Sequence, residues 1–194
     1  MPFDINTFKG KVTSGVRPNL FKVTFALPTA AQSGTATSET LTFLCKSAAL
    51  PSSTMGTIEV PFRGRNLKIP GDRTFDSWTA TFINDANFAS RSAFEKWINL
   101  VNKLDANVGS LNNSSTTPGE NIFQDIRIDQ LSKPSSTTAD SIIRTYTLFG
   151  AWPSSVSQIT LGYDQNDQIE EFDVEFQYQY FAITNGIGGV PDIT

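Results

Sequence analysis

Glu171-Phe172-Asp173-Val174-Glu175-Phe176-Gln177-Tyr178-Gln179-Tyr180 alternates strictly between polar and apolar side chains. Successive side chains of a β-strand point to opposite faces. Phe172, Val174, Phe176, Tyr178 and Tyr180 therefore share one face, and Glu171, Asp173, Glu175, Gln177 and Gln179 the other. The aromatic face demands a core to cover it. The acidic face is either solvated or turned towards an enclosed channel or a basic partner, because three like charges in a row repel unless a basic surface meets them. Glu170 and Glu171, although adjacent, point to opposite faces and cannot work as a general acid and base on one substrate.

The same period of two recurs outward from this stretch. Phe21, Val23, Phe25 and Leu27 share a face, as do Leu41, Phe43 and Cys45. Ile58, Val60 and Phe62 form a third, continued by Leu67 and Ile69 after a turn at Arg63-Gly64-Arg65-Asn66. Within residues 74–84, Trp78, Ala80 and Phe82 oppose Ser77, Thr79 and Thr81. Further strands are expected over residues 122–131, 142–152, 156–163 and 168–181. A single helix breaks the pattern: Phe94, Trp97, Ile98, Val101 and Leu104 recur at helical spacing after a capping box of Ser92 and Glu95. Residues 28–39, 105–120 and 132–140 are rich in Ser, Thr, Gly and Asn and read as exposed loops. These elements predict a mainly β protein, an antiparallel sandwich or barrel carrying one packed helix. They read as a single domain over residues 1–194, with a flexible N-terminus (about 1–16) and a flexible tail (about 182–194).

Composition excludes much chemistry. The 194 residues contain no histidine, which removes Ser-His-Asp and Cys-His catalysis and every histidine metal site. Cys45 is the sole cysteine and reads as a small buried hydrophobe in an apolar run. The N-terminus, with Asp4 leading into no apolar stretch, predicts neither a secretion signal nor an anchor. Asp164, Asn166 and Glu175 fall at three positions of a calcium loop, but Ile169 stands where that loop needs glycine, so a turn is the better reading. Gly64 to Lys68 lacks the spacing of a phosphate loop. No catalytic residue, cofactor or metal ligand set is expected.

Charge is divided along the chain. Residues 1–144 hold all 15 Lys and Arg against 12 acids, whereas 145–194 hold seven acids and no base. Arg63, Arg65, Lys68 and Arg73 form a basic loop, solvated or in contact with protein; Asp164, Asp167, Glu170, Glu171, Asp173 and Glu175 form an acidic block. Opposite charge on different parts of one chain suits head-to-tail association.

Several segments resemble the tail tube proteins of T-even-type contractile-tailed bacteriophages. They are Arg17-Pro18-Asn19-Leu20-Phe21, Phe43-Leu44-Cys45-Lys46 with Ala49-Leu50-Pro51, Gly71-Asp72-Arg73-Thr74-Phe75-Asp76-Ser77-Trp78 with Asn84-Asp85, Phe94 to Trp97, Gly150-Ala151-Trp152-Pro153, and residues 164–181. The resemblance implies a sandwich or barrel with one helix, a plan shared by type VI secretion tube proteins. It implies a virion tube assembled in the host cytoplasm, in which six copies close into a ring, strands join around a lumen and rings stack. It further implies a tail sheath protein outside, a tape measure protein in the lumen, baseplate and terminator proteins at the ends, transient passage of DNA, and no membrane. A type VI or other injection-system tube, or a baseplate tube initiator, is the alternative. Arg17, Asn19, Arg63, Arg65, Lys68, Asp72 and Arg73 become candidates for subunit or ring contacts. Glu171, Asp173 and Glu175 become candidates for a face turned to the lumen or sheath. The Ser/Thr-rich loops and the glycine-bearing tail depart from the family pattern.

Overall fold

The computed structural model describes residues 4–11, 15–32, 37–109, 122–132, 142–185 and 191–193. In chain order the elements are α1 (Ile5–Lys11), β1 (Phe21–Phe25), a 3-10 turn (Thr29–Ala31), α2 (Ser38–Leu44), β2 (Cys45–Ala48), β3 (Ser53–Phe62) and β4 (Arg65–Phe75). There follow β5 (Trp78–Ile83), α3 (Ala89–Val101), β6 (Gln124–Leu131), β7 (Ile142–Val156), β8 (Glu171–Gln177), β9 (Tyr180–Asn185) and β10 (Pro191–Ile193).

Pairing is antiparallel throughout. One sheet runs β1-β6-β7-β8-β5-β2, with β9 and then β10 branching from β7, while among the described residues β3 and β4 pair only with each other. β7 makes the branch possible, because its first part pairs with β9 and its last part with β8. Gly150 sits at the division with φ +61°, a conformation that costs a residue with a Cβ about 1–2 kcal/mol. Its N–H donates to the Asp125 carboxylate at 3.0 Å, and the Gln179 N–H donates to the Phe149 carbonyl at 3.0 Å. Here the chain leaves β8 and enters β9, so the alternation of residues 171–180 breaks. Phe172, Val174, Phe176 and Tyr178 are buried as expected, but Tyr180 is exposed.

The sheet folds back on itself around an aromatic core. Phe25 of β1, though not bonded to β5 or β8, lies 5.3 Å from Phe82, 6.3 Å from Trp78 and 6.1 Å from Phe176 between ring centroids. α3 closes one side. Phe94 approaches Phe82 at 4.7 Å, and the buried Trp97 donates from Nε1 to the Ile122 carbonyl at 2.8 Å. The result is a mainly antiparallel sandwich, not a closed barrel within one chain.

Several expectations need correction. α3 begins at Ala89, before the expected capping box. Asp85 accepts from both N and Oγ of Ser90 (3.0 and 2.9 Å), and Glu95 pairs with Arg91 instead. Although burial alone would raise it, these hydrogen bonds hold the Asp85 carboxyl below its ordinary value. Leu104 lies beyond the helix and is exposed. Residues 38–44 are helix, not strand: Thr37 accepts from the Thr40 N–H at 3.3 Å, and Leu41 and Cys45 are buried four residues apart, while Phe43 faces solvent. α3 is therefore not the sole helix. Residues 157–163 form no strand. Residues 182–185, assigned above to a free tail, pair with 144–147 as part of β9. The loop expectations for 33–36, 110–120 and 133–140, and that for the tail over 186–190, lie outside the described residues.

Candidate assembly surfaces

β3 and β4 form an arm standing apart from the main sheet. Its register closes at Phe62 opposite Arg65, leaving Arg63 and Gly64 as a two-residue turn with φ of +45° and +83°. Positive φ at both central residues is the turn whose twist matches a hairpin. Ile58 opposes Ile69 and Val60 opposes Leu67, so these four and Phe62 occupy one side. The other side carries Glu59, which accepts from Asn66 at 2.9 Å and lies 3.7 Å from Lys68. Gly56 and Gly71 flank an irregularity in the pairing; a Cβ on either would come within 3.2 Å of the opposite backbone. The base is anchored. Phe75 packs on Tyr178 (6.0 Å) and Phe181 (5.7 Å), Trp78 Nε1 donates to the Ala49 carbonyl at 2.6 Å, and Ser52 Oγ donates to Asp76 at 3.0 Å. Burial, then the Asp76 charge, raises the Tyr178 hydroxyl pKa, so it stays protonated and donates to the Ser52 carbonyl at 3.3 Å.

The apolar side of the arm is not core. Ile58, Val60, Phe62, Leu67 and Ile69 are between 42% and 69% exposed. An isolated two-stranded hairpin is marginal in water, and a patch of this kind on a single subunit marks a contact surface. Sequence periodicity found the strands and their shared apolar side but did not say what covers it.

The candidate contact residues fall into two places. Arg63, Arg65, Lys68, Asp72 and Arg73 are together on the arm, yet only Arg63 is in the turn; the other four are strand residues of β4, so the basic segment is a hairpin tip and flank, not a loop. The Arg63 guanidinium lies 5.5 Å from the Phe62 ring centre. Arg17 and Asn19 belong to a different element, the turn entering β1. There the Arg17 carbonyl accepts from the Leu20 N–H at 3.2 Å and from Gln130 Nε2 at 2.9 Å. Both side chains are exposed.

Glu171, Asp173 and Glu175 point outward from β8, opposite Ile83, Thr81 and Thr79 of β5. Two of the three already have partners: Lys46 pairs with Glu171 at 2.6 Å, and the Thr81 hydroxyl donates to Asp173 at 2.7 Å.

Between β7 and β8, residues 157–170 make an irregular excursion. Its ends are pinned. The Ser157 N–H donates to the Asp173 carbonyl, Arg91 donates to the Ser157 carbonyl at 3.1 Å, and Asn84 donates from N and Nδ2 to the Glu170 carbonyl and carboxylate, both at 2.8 Å. Between these ends lies an open concavity of about 1000 Å³, whose lining includes Ile159, Leu161, Tyr163, Ile169 and Glu170. Leu161, Tyr163 and Ile169 are more than 70% exposed. The turn formers Gly162 to Asn166 were the sequence signal for this excursion, and the alternating Ile159, Leu161 and Tyr163 concealed it. Burial pushes the Cys45 thiol up to about 12, so it stays protonated at neutral pH. No helix among the described residues is long and apolar enough to cross a membrane.

Comparison with known proteins adds a sequence family and a shared fold. The profile of the family described as "Phage tail tube protein" matches residues 16–184. The tail tube protein of Serratia phage KSP90 is 29% identical over 177 residues, covering 90% of this chain and 93% of its own. The tail tube protein gp19 of Enterobacteria phage T4 is 28% identical over 165 residues, covering 85% and 90%. Among solved structures, a chain from the sheath/tube terminator of an extracellular contractile injection system superposes with a TM-score of 0.58 at 15% identity, covering 88% of this chain and 97% of that one.

Proposed function

Because this chain belongs to the phage tail tube protein family, we propose that it is a structural virion subunit that polymerises into stacked rings, enclosing the lumen of a contractile tail. The observation that carries this reading is the arm, whose five apolar side chains a single subunit leaves in water. Among the described residues the main sheet is also left open at β1, β2 and β10, and open strand edges invite pairing with another chain. Contacts between unlike surfaces of identical subunits close into a ring when the rotation permits. Six copies per ring is the number the family resemblance implies.

The role is mechanical and not catalytic. The tube forms in the host cytoplasm, is surrounded by a sheath, ends on baseplate and terminator proteins, holds a tape measure protein during assembly and later passes DNA. Glu171, Asp173 and Glu175 suit a surface past which DNA moves, because affinity for nucleic acid requires positive charge against the phosphates. Arg17, Asn19, Arg63, Arg65, Lys68, Asp72 and Arg73 serve contacts between subunits or rings. The whole chain acts as one domain in this assembly.

Sedimentation velocity over a hundredfold range of protein concentration tests the proposal. Self-assembly predicts species that grow with concentration from one subunit to rings and longer polymers. One subunit mass at every concentration would contradict it.

A further inference from the structure

We propose that the arm of the single subunit is hinged: its distal part, residues 57–62 with 65–70, swings as one stiff paddle about a bulge at Gly56, while its base stays fixed on the core. The register locates the joint. Met55 pairs with Arg73 and Thr57 with Pro70, so Gly71 and Asp72 of β4 stand opposite the single Gly56 of β3. An extra residue on one strand interrupts the ladder and bends the strand that carries it. Pro70 borders the interruption and has no N–H to donate across it. Glycine within a strand marks a bulge or a close approach of two backbones, and both meet here. A Cβ on Gly71 would lie 3.2 Å from the Gly56 carbonyl carbon, and one on Gly56 3.2 Å from the Asp72 carbonyl oxygen. With glycine at both positions, the backbone can turn at this level without a side chain in its way.

The two sides of the joint are held differently. The base is tied to the sheet, since Phe75 packs on Tyr178 and Phe181, and the Tyr178 hydroxyl donates to the Ser52 carbonyl. The paddle is tied to itself. Its pairs run unbroken from Thr57 opposite Pro70 to Phe62 opposite Arg65, and Glu59 holds Asn66 and Lys68 within it. Every residue from 57 to 70 is exposed. A hairpin that is continuous on both sides of one interruption, and anchored on only one side, moves at the interruption. The extra residue also sets which way the paddle faces. Phe75 opposes Ser53 and so shares a side with Met55 and Thr57, whereas Leu67 and Ile69 oppose Val60 and Ile58 on the other side. The apolar side of the paddle is therefore turned away from the side on which Phe75 meets the core. A swing at Gly56 re-aims that apolar side while the core and the paddle each keep their own structure.

Paired spin labels test the hinge in protein diluted until sedimentation finds one subunit mass, with Cys45→Ala leaving only the introduced thiols. Labels on Lys68→Cys and Thr79→Cys span from the paddle to β5, and labels on Thr54→Cys and Thr79→Cys from the base to β5. Double electron–electron resonance should give a broad distance distribution for the first pair and a narrow one for the second. A first distribution as narrow as the second would overturn the hinge. Deleting Asp72 leaves every other pairing of the arm in place, because Arg73 and Pro70 then follow at the regular spacing of Met55 and Thr57. In that chain, with Gly56→Thr and Gly71→Thr added, the first distribution should narrow to the width of the second. A folded deletion variant that stays broad would put the motion elsewhere and overturn the assignment to the bulge. Hydrogen exchange separates swinging from unfolding: amides within the paddle should exchange more slowly than those of Gly56 and Gly71. Uniformly fast exchange across residues 57–70 would show an arm that melts, and would overturn the stiff paddle.

Discussion

Val60 and Leu67 face each other across the arm and are 42% and 61% exposed. Fully burying such a side chain contributes about 1.5–3 kcal/mol. Scaled by the fraction still in water, the pair stands to gain about 2 kcal/mol when a neighbouring subunit covers it. Replacing both with Ser removes most of that gain, which weakens each contact by about 30-fold. The isolated subunit loses little, because exposed substitutions away from special backbone positions change stability by about 0.5 kcal/mol or less. Urea unfolding followed by fluorescence should therefore give nearly the parent's midpoint, while sedimentation shows assembly moved to concentrations at least 30-fold higher. A folded double variant that assembles at the parent's concentration would refute the argument that the arm is a buried contact. A loss of several kcal/mol in the subunit alone would show that the arm supports its own core instead.

Three further outcomes follow from the fold. Phe25, 1% exposed and ringed by Trp78, Phe82, Phe94 and Phe176, should lose about 3–5 kcal/mol of stability on Phe25→Ala; a loss below about 1 kcal/mol in urea unfolding would show that β1 does not complete the core. Gly150→Ala should cost about 1–2 kcal/mol from its positive φ, and the new Cβ would lie 3.2 Å from Gln179 Cγ. Adding Gln179→Ala relieves the contact but not the backbone, so the double variant should still melt below the parent. Cys45 should resist a thiol reagent at pH 8 until the protein is unfolded. Its folded pKa of about 12 exceeds the ordinary value of 9.0, so the unfolded chain releases its proton first. This contribution is therefore fully present below pH 9 and is lost as pH rises towards 12. Rapid labelling of the folded protein, or stability independent of pH across that window in comparison with Cys45→Ala, would contradict it.

The sequence was most legible where a pattern and its partner lie in the same chain. β8 alternates because the aromatic core and the solvent lie on its two sides, and α3 shows its buried Phe94 and Trp97 at helical spacing. Leu41 and Cys45 were ambiguous, because a separation of four satisfies a helix and a strand alike. The Thr37 cap and the 79% exposure of Phe43, which no periodicity contains, settle the matter. Ile159, Leu161 and Tyr163 alternate like a strand, but alternation does not provide a partner to hydrogen-bond, and residues 157–170 stay irregular. The arm was legible only in part for a related reason. Ile58, Val60 and Phe62 carry the pattern of buried residues, and a pattern cannot say whether the surface that buries them belongs to the same subunit. The candidate site was therefore legible as strands and charges but not as a surface.

Electron microscopy of the concentrated, purified protein tests the central claim most directly. The account predicts hollow tubes of stacked rings with six-fold symmetry in end view, with the arm of each subunit covered by a neighbour. Dispersed single subunits at every concentration, with the arm still in solvent, would contradict it.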